Sequence, residues 1–335
     1  MFKFIASLAI AAVLTAPAAA APFRLIVTDL EPPLVPNSVM DLALSLGYFE
    51  REGVDVELVR VQQTPLAVVA LQAGEGEMAN VGVDTALQLV ASGQLDLRAV
   101  TSPSKSLFFM IAAQDAIGDV AALPGHSFGI GRVGSVDQGL SEQVLAAQGV
   151  DMAALDQVAL GQPAARAQAL AAGQIDATTM SLGTWTTLPD QAGMHILVDP
   201  DAYFAAAPVV SKVNVVTPQV LAERRSDVVA VVTALVKLSR DIAADPAIWV
   251  DAMATARPDL ARADFESLAA AYARSWSVNG GLSARELAFT ADWNFKGEDF
   301  AGLEPVGLDA WVDFTVADEV LAALGTAPDL DPADR

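Results

Sequence analysis

A chain of 335 residues, 53% of them hydrophobic, has apolar material for the cores of two domains and excludes intrinsic disorder. Its 19 basic against 41 acidic side chains, a net charge of -22, would repel both nucleic-acid phosphates and an anionic membrane surface. The absence of cysteine excludes disulfides, thiolate zinc sites, iron–sulfur clusters, cysteine nucleophiles and a lipid-modified N-terminal cysteine.

In chain order, Lys3, the apolar run Phe4 to Leu14 and the small residues Ala18-Ala19-Ala20 predict a secretory signal peptide at residues 1–20, cut near Ala20. The run is shorter than the roughly 20 apolar residues that span a bilayer, and Pro17 follows it. Cleavage removes Lys3 and takes the net charge from -22 to -23. The product is expected to be soluble and exported, with no lipid anchor.

The first lobe is predicted to hold strands at Arg24 to Val27, Val54 to Val61, Met78 to Val83 and Leu97 to Val100. Helices at Ser38 to Leu46, Thr64 to Ala73 and from Asp84 or Thr85 to about Ser92 alternate with them. Such alternation predicts a parallel sheet covered on both faces. The second lobe repeats the pattern, with strands at Ser127 to Gly131, Gln157 to Leu160 and Ile175 to Met180 and helices at Ser135 to Ala147 and Ala164 to Gly173. The apolar segments Leu107 to Ala113 and Pro208 to Val216 are read as the two extended crossings between lobes. Beyond Pro218 four amphipathic helical stretches are expected to wrap the first lobe, and the acidic end Asp329 to Arg335 is expected to fray.

A near-duplication supports two lobes. ALQAGEGEMANVGVDT, Ala70 to Thr85, aligns with ALAAGQIDATTMSLGT, Ala169 to Thr184, matching Gly74 with Gly173 and Glu77 with Asp176. EGVDVELVRV from Glu52 similarly resembles QGVDMAALDQVAL from Gln148. Two periods are too few for a solenoid and suit two similar α/β lobes.

In open α/β sheets ligands sit beyond the carboxyl ends of the strands, where helix N-termini present unpaired N–H groups. The candidate ligand-binding residues therefore fall in converging loops. Thr28, Asp29 and Glu31 follow the first strand, and Asp84 and Thr85 follow the third. Arg132, Gly134 and Ser135 lie in a glycine-rich loop of the second lobe, Met180, Ser181 and Trp185 near its last strand end, and Phe108 with Ser104 or Ser106 on a crossing. Thr85 and Ser135 also suit plain helix caps, and Asp29 and Asp84 also suit solvated loops. Arg132, in a chain poor in cations, is read as a bidentate clamp for a carboxylate or sulfonate, against a surface ion pair as the bland alternative. Trp185 is read as a stacking face, against a core role.

Gly129-Ile130-Gly131-Arg132-Val133-Gly134 fits G-x-G-x-x-G between a strand and a helix. The ribose-binding acid of a dinucleotide fold is missing, because Asp156 precedes the run Val158 to Leu160 and Asp151 lies in the turn before it. His126 and His195, the only histidines, have no metal-ligand spacing, and no G-x-S-x-G elbow occurs. No cofactor, metal or catalytic residue is expected.

The stretches PNSVMDLALSLGYFEREGVDVELV, ALQAGEGEMANVGVDTALQLVASGQLDLRAV and ALAAGQIDA resemble the periplasmic solute-binding proteins of ABC importers, in the branch serving sulfonates, nitrate and thiamine-pyrimidine precursors. The resemblance covers roughly residues 23 to 245. PNSVM is similar to the start of the first helix in pyrimidine-binding members but lacks the His or aromatic residues expected there. The resemblance implies two doubly wound α/β lobes of the type II periplasmic binding protein kind, joined by two hinge strands, with extra C-terminal helices. The first lobe would comprise residues 21–107 and 210–335 and the second residues 108–209. It also implies a monomer that closes on a small polar solute and delivers it to an ABC permease. A ligand-sensing co-receptor and a periplasmic hydrolase on the same scaffold are the alternatives.

Overall fold

The computed structural model describes residues 21–106, 108–186, 188–328 and 331–334, so the signal-peptide reading of residues 1–20 lies outside the described residues. The chain begins with β1 (Phe23–Val27), α1 (Val39–Ser45), α2 (Tyr48–Arg51) and β2 (Val56–Arg60), then α3 (Thr64–Gln72), β3 (Met78–Gly82), α4 (Val83–Ala91) and β4 (Arg98–Thr101). The second lobe holds β5 (Phe109–Gln114), β6 (Ser127–Ile130), α5 (Val136–Ala147), β7 (Asp156–Ala159), α6 (Pro163–Ala171), β8 (Ala177–Ser181), α7 (Leu182–Thr186), β9 (Met194–Val198) and α8 (Pro200–Ala206). The chain returns through β10 (Lys212–Val216) and ends in α9 (Pro218–Glu223), α10 (Arg225–Ala244), α11 (Ala247–Ala256), α12 (Arg262–Ala271), α13 (Ala284–Phe295) and α14 (Phe314–Leu324). Proline opens α3, α6, α8 and α9, where its missing N–H costs no intrahelical bond.

Two five-stranded sheets result, ordered β2-β1-β3-β10-β4 and β7-β6-β8-β5-β9. The expected all-parallel sheets are corrected here. β10 runs antiparallel to β3 and β4, and β5 runs antiparallel to β8 and β9. A chain arriving from the other lobe enters a sheet at the end where its parallel strands finish, so it must run against them. For the same reason the segments read as crossings are mostly these two strands. Their continuous apolar character reflects a central strand covered on both faces, and the crossings proper are the preceding residues 102–106 with Phe108, and 207–211. The crossings lie side by side, Ser211 N donating to the Lys105 carbonyl at 3.1 Å. β9, which contains His195, is an addition to the expected strands.

The near-duplication is visible in atoms. The Glu77 carboxylate accepts from Arg24 N at 2.6 Å, and Asp176 accepts from Ser127 N at 2.8 Å. In each lobe the acid after the glycine turn ties the start of one strand to the start of its parallel neighbour. Burial alone would raise the Glu77 pKa, but the Arg24 hydrogen bonds outweigh it and hold the carboxyl below its ordinary value.

The C-terminal helices do wrap the first lobe, α10 packing on α1, α2 and α14. They also reach the second. α12 touches α7, and a Cβ on Gly139 of α5 would lie 2.7 Å from the Trp293 ring of α13. The end of the chain, expected to fray for want of apolar surface, is anchored by polar contacts instead. Asp331 is buried, and its carboxylate accepts from Asn279 N at 2.8 Å and Gly281 N at 2.9 Å and faces Lys105 Nζ at 3.4 Å. The Asp334 carboxylate accepts from Arg285 N at 3.0 Å, at the start of α13.

Glu286, at the third position of α13, is also buried, and burial pushes its carboxyl from 4.5 up to about 6, with Lys105 pulling it down and Asp331 pushing it up. Between those two pH values the folded chain keeps a proton that the unfolded chain has released. The resulting stability is full below the unfolded value and is lost as pH rises through about 6. Glu286→Gln is therefore expected to be about 2 kcal/mol more stable than the parent at pH 7.5, with the gap closing toward pH 4.5. Urea denaturation at the two pH values checks this.

Candidate functional site

In the first sheet β1 lies between β2 and β3. The helix after β1 packs on one face, α1 with the α10 and α11 side chains, while α3 and α4 pack on the other. The loops leaving β1 and β3 therefore diverge and leave a crevice at their carboxyl ends. β6 and β8 do the same in the second lobe, α6 belonging to one face and α5 to the other.

At the first-lobe crevice the structure brings Thr28 and Asp29 together around a residue the sequence reasoning missed. Lys212, the first residue of β10 and the register partner of Gly82, donates from Nζ to Thr28 Oγ1 at 2.8 Å and lies 3.7 Å from Asp29 Oδ2. Lys212, Gly82 and Asp84 line a cavity of about 600 Å³ with Ser211 and Trp293. Asp84 and Thr85 do not cap α4, because the helix already starts at Val83 with Gly82 at its cap, so both lie in its first turn. Glu31 is exposed and pairs with Arg257 at 3.3 Å.

Below this crevice runs a buried amide chain. Asn37 Nδ2 donates to Asn80 Oδ1 at 3.0 Å and Asn80 Nδ2 to Asn214 Oδ1 at 2.8 Å, which leaves Asn37 Oδ1 without a partner. Arg60, at the end of β2, donates to Asp41 Oδ1 at 2.6 Å and to the Asp29 carbonyl at 3.3 Å. Burial raises the Asp41 pKa, and the Arg60 hydrogen bond partly offsets it.

In the second lobe the Gly131–Ser135 loop is built on its own hydrogen bonds. Gly131 N donates to Asp137 Oδ2 at 2.9 Å, and Ser135 Oγ donates to the Arg132 carbonyl at 2.7 Å. Ser135 holds the cap position of α5 without a side-chain cap bond. Gly134 adopts φ +77, which favours glycine, and its N–H reaches Gln138 Oε1 at 2.6 Å. Arg132 is exposed, and its guanidinium turns to the neighbouring Val133 carbonyl at 3.3 Å. Gly129 is a packing residue, since a Cβ there would meet Ile175 Cδ1 at 2.6 Å. The cation held inside this lobe is Arg166, whose Nη1 donates to the Gly161 carbonyl at 2.6 Å while Nη2 faces Asp137 at 3.4 Å. Burial lowers its pKa, and Asp137 opposes that shift.

Ser181 accepts from Thr184 N at 3.1 Å at the end of β8. Met180 and Trp185 are buried in the core cluster that also holds Leu182 and Met194, so the Trp185 ring serves packing and offers no open stacking face. Phe108 adopts φ +50 and is buried against the Tyr272 ring at 4.8 Å between centroids. Ser104 and Ser106 are buried on the same crossing. The crevice residues thus fall into two sets, Thr28, Asp29, Asp84 and Lys212 on one lobe and Arg132, Ser135 and Ser181 on the other. None of their hydrogen bonds or ion pairs runs from one set to the other.

His126 precedes β6 at the end away from the crevice and faces Asp176 at 3.4 Å, while His195 in β9 faces Asp115 at 3.5 Å. Among the described residues no cluster of His, Cys, Asp and Glu has metal-binding geometry, and no helix is long and apolar enough to cross a membrane.

Solved structures share this architecture. The periplasmic sulfonate-binding protein SsuA from Methylobacillus flagellatus KT superposes with a TM-score of 0.70 at 14% identity, over 91% of this chain and 94% of that one. The alkanesulfonate-binding protein SsuA from Xanthomonas axonopodis pv. citri, bound to MOPS, gives 0.58 at 20% identity over 89% and 99%. The desulfurization enzyme DSZB gives 0.60 at 15% identity over 90% and 99%. At these identities the likeness is one of fold, two mixed α/β lobes of the periplasmic binding protein kind. No curated protein matches by sequence. Residues 39–248, which run from α1 into the start of α11, match the NMT1/THI5-like family model, and on that span the chain belongs to the NMT1/THI5-like family.

Proposed function

We propose that this chain is a periplasmic solute-binding protein that captures a small polar organic molecule between its lobes and hands it to an ABC permease. One observation carries the reading. Two lobes joined by adjacent crossings turn the carboxyl ends of their parallel strands toward a shared cleft, and a lysine ammonium stands at one of those ends beside a threonine and an aspartate. The signal-peptide pattern of residues 1–20 supports export, and the sulfonate-binding roles of the structural neighbours support a solute with an anionic group. We read residues 21–107 and 210–335 as one lobe and 108–209 as the other, acting as a monomer. A binding role is favoured because Lys212 donates to Thr28 Oγ1 and faces the Asp29 carboxylate, an arrangement that presents an ammonium to an anionic group of a solute.

Lobe closure on a ligand requires contacts that exist only in the closed state. Lys212 and Thr28 in one lobe and Arg132 and Ser135 in the other supply them in this reading. A thermal-shift screen of the mature chain against sulfonates, pyrimidines, amines and carboxylates tests it. The cognate solute at about 100 times its dissociation constant is expected to add about 2.7 kcal/mol of stability, and a library that shifts nothing overturns the reading. With the solute found, Lys212→Met is expected to weaken binding about 10- to 100-fold and Arg132→Ala at least about tenfold, the worth of a charge-assisted hydrogen bond. Unchanged calorimetric affinity for either variant removes that residue from the site.

A further inference from the structure

A second cavity of about 260 Å³ lies at the crossings and shares no lining residue with the one at Lys212. Its walls come from both lobes. Lys105 and Phe108 belong to the first crossing, Phe204 to α8 of the second lobe, and Arg274, Arg285 and Glu286 to the C-terminal segment packed on the first.

The group that needs explaining is Glu286. Its side chain is 3% exposed, it borders the cavity, and its Oε2 has no hydrogen-bond partner. A buried carboxylate oxygen without a donor is costly and uncommon in a native fold. The nearby cations leave that oxygen unserved. Lys105 is engaged by Asp331 at 3.4 Å, and Arg285 Nη2 approaches only Oε1, at 3.8 Å, beyond hydrogen-bond range. The Arg285 and Arg274 side chains are 72% and 62% exposed, and Arg274 pairs across the lobes with Asp201 of α8 at 3.4 Å. Of the charged lining residues, Glu286 and Lys105 are buried, Lys105 facing Asp331, while Arg285 and Arg274 are exposed at the mouth beside Asp201, and Phe204 and Phe108 add aromatic wall.

We propose that this hinge cavity is a second ligand site, for a small zwitterion whose primary ammonium donates to Glu286 Oε2 while its carboxylate or sulfonate is taken by Arg285 and Arg274 at the mouth. A lone cation would meet two arginines on entry, and a lone anion would leave Glu286 unpaired. Because both crossings and both lobes form the wall, an occupant biases lobe closure, and by linkage a solute in the main cleft changes the affinity here by the same factor.

Titration calorimetry of the mature chain with glycine, β-alanine and 4-aminobutyrate tests the proposal, with propylamine and propionate as half-molecule probes. At least one zwitterion is expected to bind, and each half molecule at least tenfold more weakly. Affinity for it is expected to fall at least tenfold in Glu286→Gln, which removes the charge, and in Ala205→Trp, which fills the cavity from an exposed position. Lys212→Met is expected to leave it unchanged. Absence of binding by all three zwitterions overturns the proposal, as does parental affinity in Glu286→Gln, or equal binding of propylamine. A loss confined to Lys212→Met assigns the probe to the main cleft, overturning this site while leaving the solute-binding reading intact.

Discussion

Replacing Asp331 by alanine is expected to destabilise the fold by about 3–5 kcal/mol, the cost of removing one partner of a buried ion pair. Its carboxylate is fully enclosed and serves the backbone N–H groups of Asn279 and Gly281 as well as Lys105, whose own side chain is 6% exposed. Without it two buried amides lose their acceptor and the Lys105 ammonium loses the carboxylate it faces. Asp331→Asn keeps the shape and loses the charge, so its cost should be intermediate. Gly281 explains why the cluster sits at the hinge. It adopts φ +69, and a Cβ there would run into the Ser102 carbonyl oxygen at the start of the first crossing. The acid thus fixes the segment against which that crossing packs. The measurement is urea denaturation, with a lower midpoint at unchanged slope. A loss below about 1 kcal/mol, or no partial rescue when Lys105→Met is added, would show that the pair is not what anchors this end.

The reach of the sequence reading follows from how local each signal is. Alternating strands and helices, the glycine turns at Gly74 and Gly173 and the crevice end of each sheet are written in short stretches, and the two lobes appear as read. Strand direction is not local. Nothing within Phe109–Gln114 or Lys212–Val216 says that each enters its sheet from the far lobe, so both sheets were expected to be parallel. Lys212 escaped because a single lysine heading an apolar run resembles any strand edge, while its partner Thr28 lies 184 residues away. Arg132 drew attention for its glycine neighbours, yet that loop is held by Asp137 and Ser135, and the guanidinium turns back on Val133. Trp185 carried no mark separating a core ring from a stacking one. The end of the chain misled for a physical reason, since apolar content measures docking by burial and is blind to one aspartate that gathers two amides and a lysine.

Trp249→Ala is expected to cost about 3–5 kcal/mol, the range for deleting a large buried aromatic, and the loss should reach the binding crevice. Trp249 is fully buried in α11, with the Phe265, Tyr272 and Trp276 rings at centroid distances of 6.0, 6.2 and 6.1 Å. Such edge-to-face and tilted neighbours contribute beyond the area they bury. Its indole Nε1 donates to Ser38 Oγ at 2.9 Å, which ties the cluster to the residue at the cap position of α1, one position after Asn37 of the buried amide chain. Tyr272 carries the cluster on to Phe108 at the first crossing. One ring therefore braces both the β1–α1 loop and the hinge. Trp249→Phe keeps most of the packing and loses the hydrogen bond, so the difference between the two variants separates the two contributions. Phenylalanine should recover more than half of the loss, leaving about 1 kcal/mol for the Ser38 bond. If the two variants are equally destabilised in calorimetric melts, the hydrogen bond to Ser38 outweighs the packing, and the brace is polar.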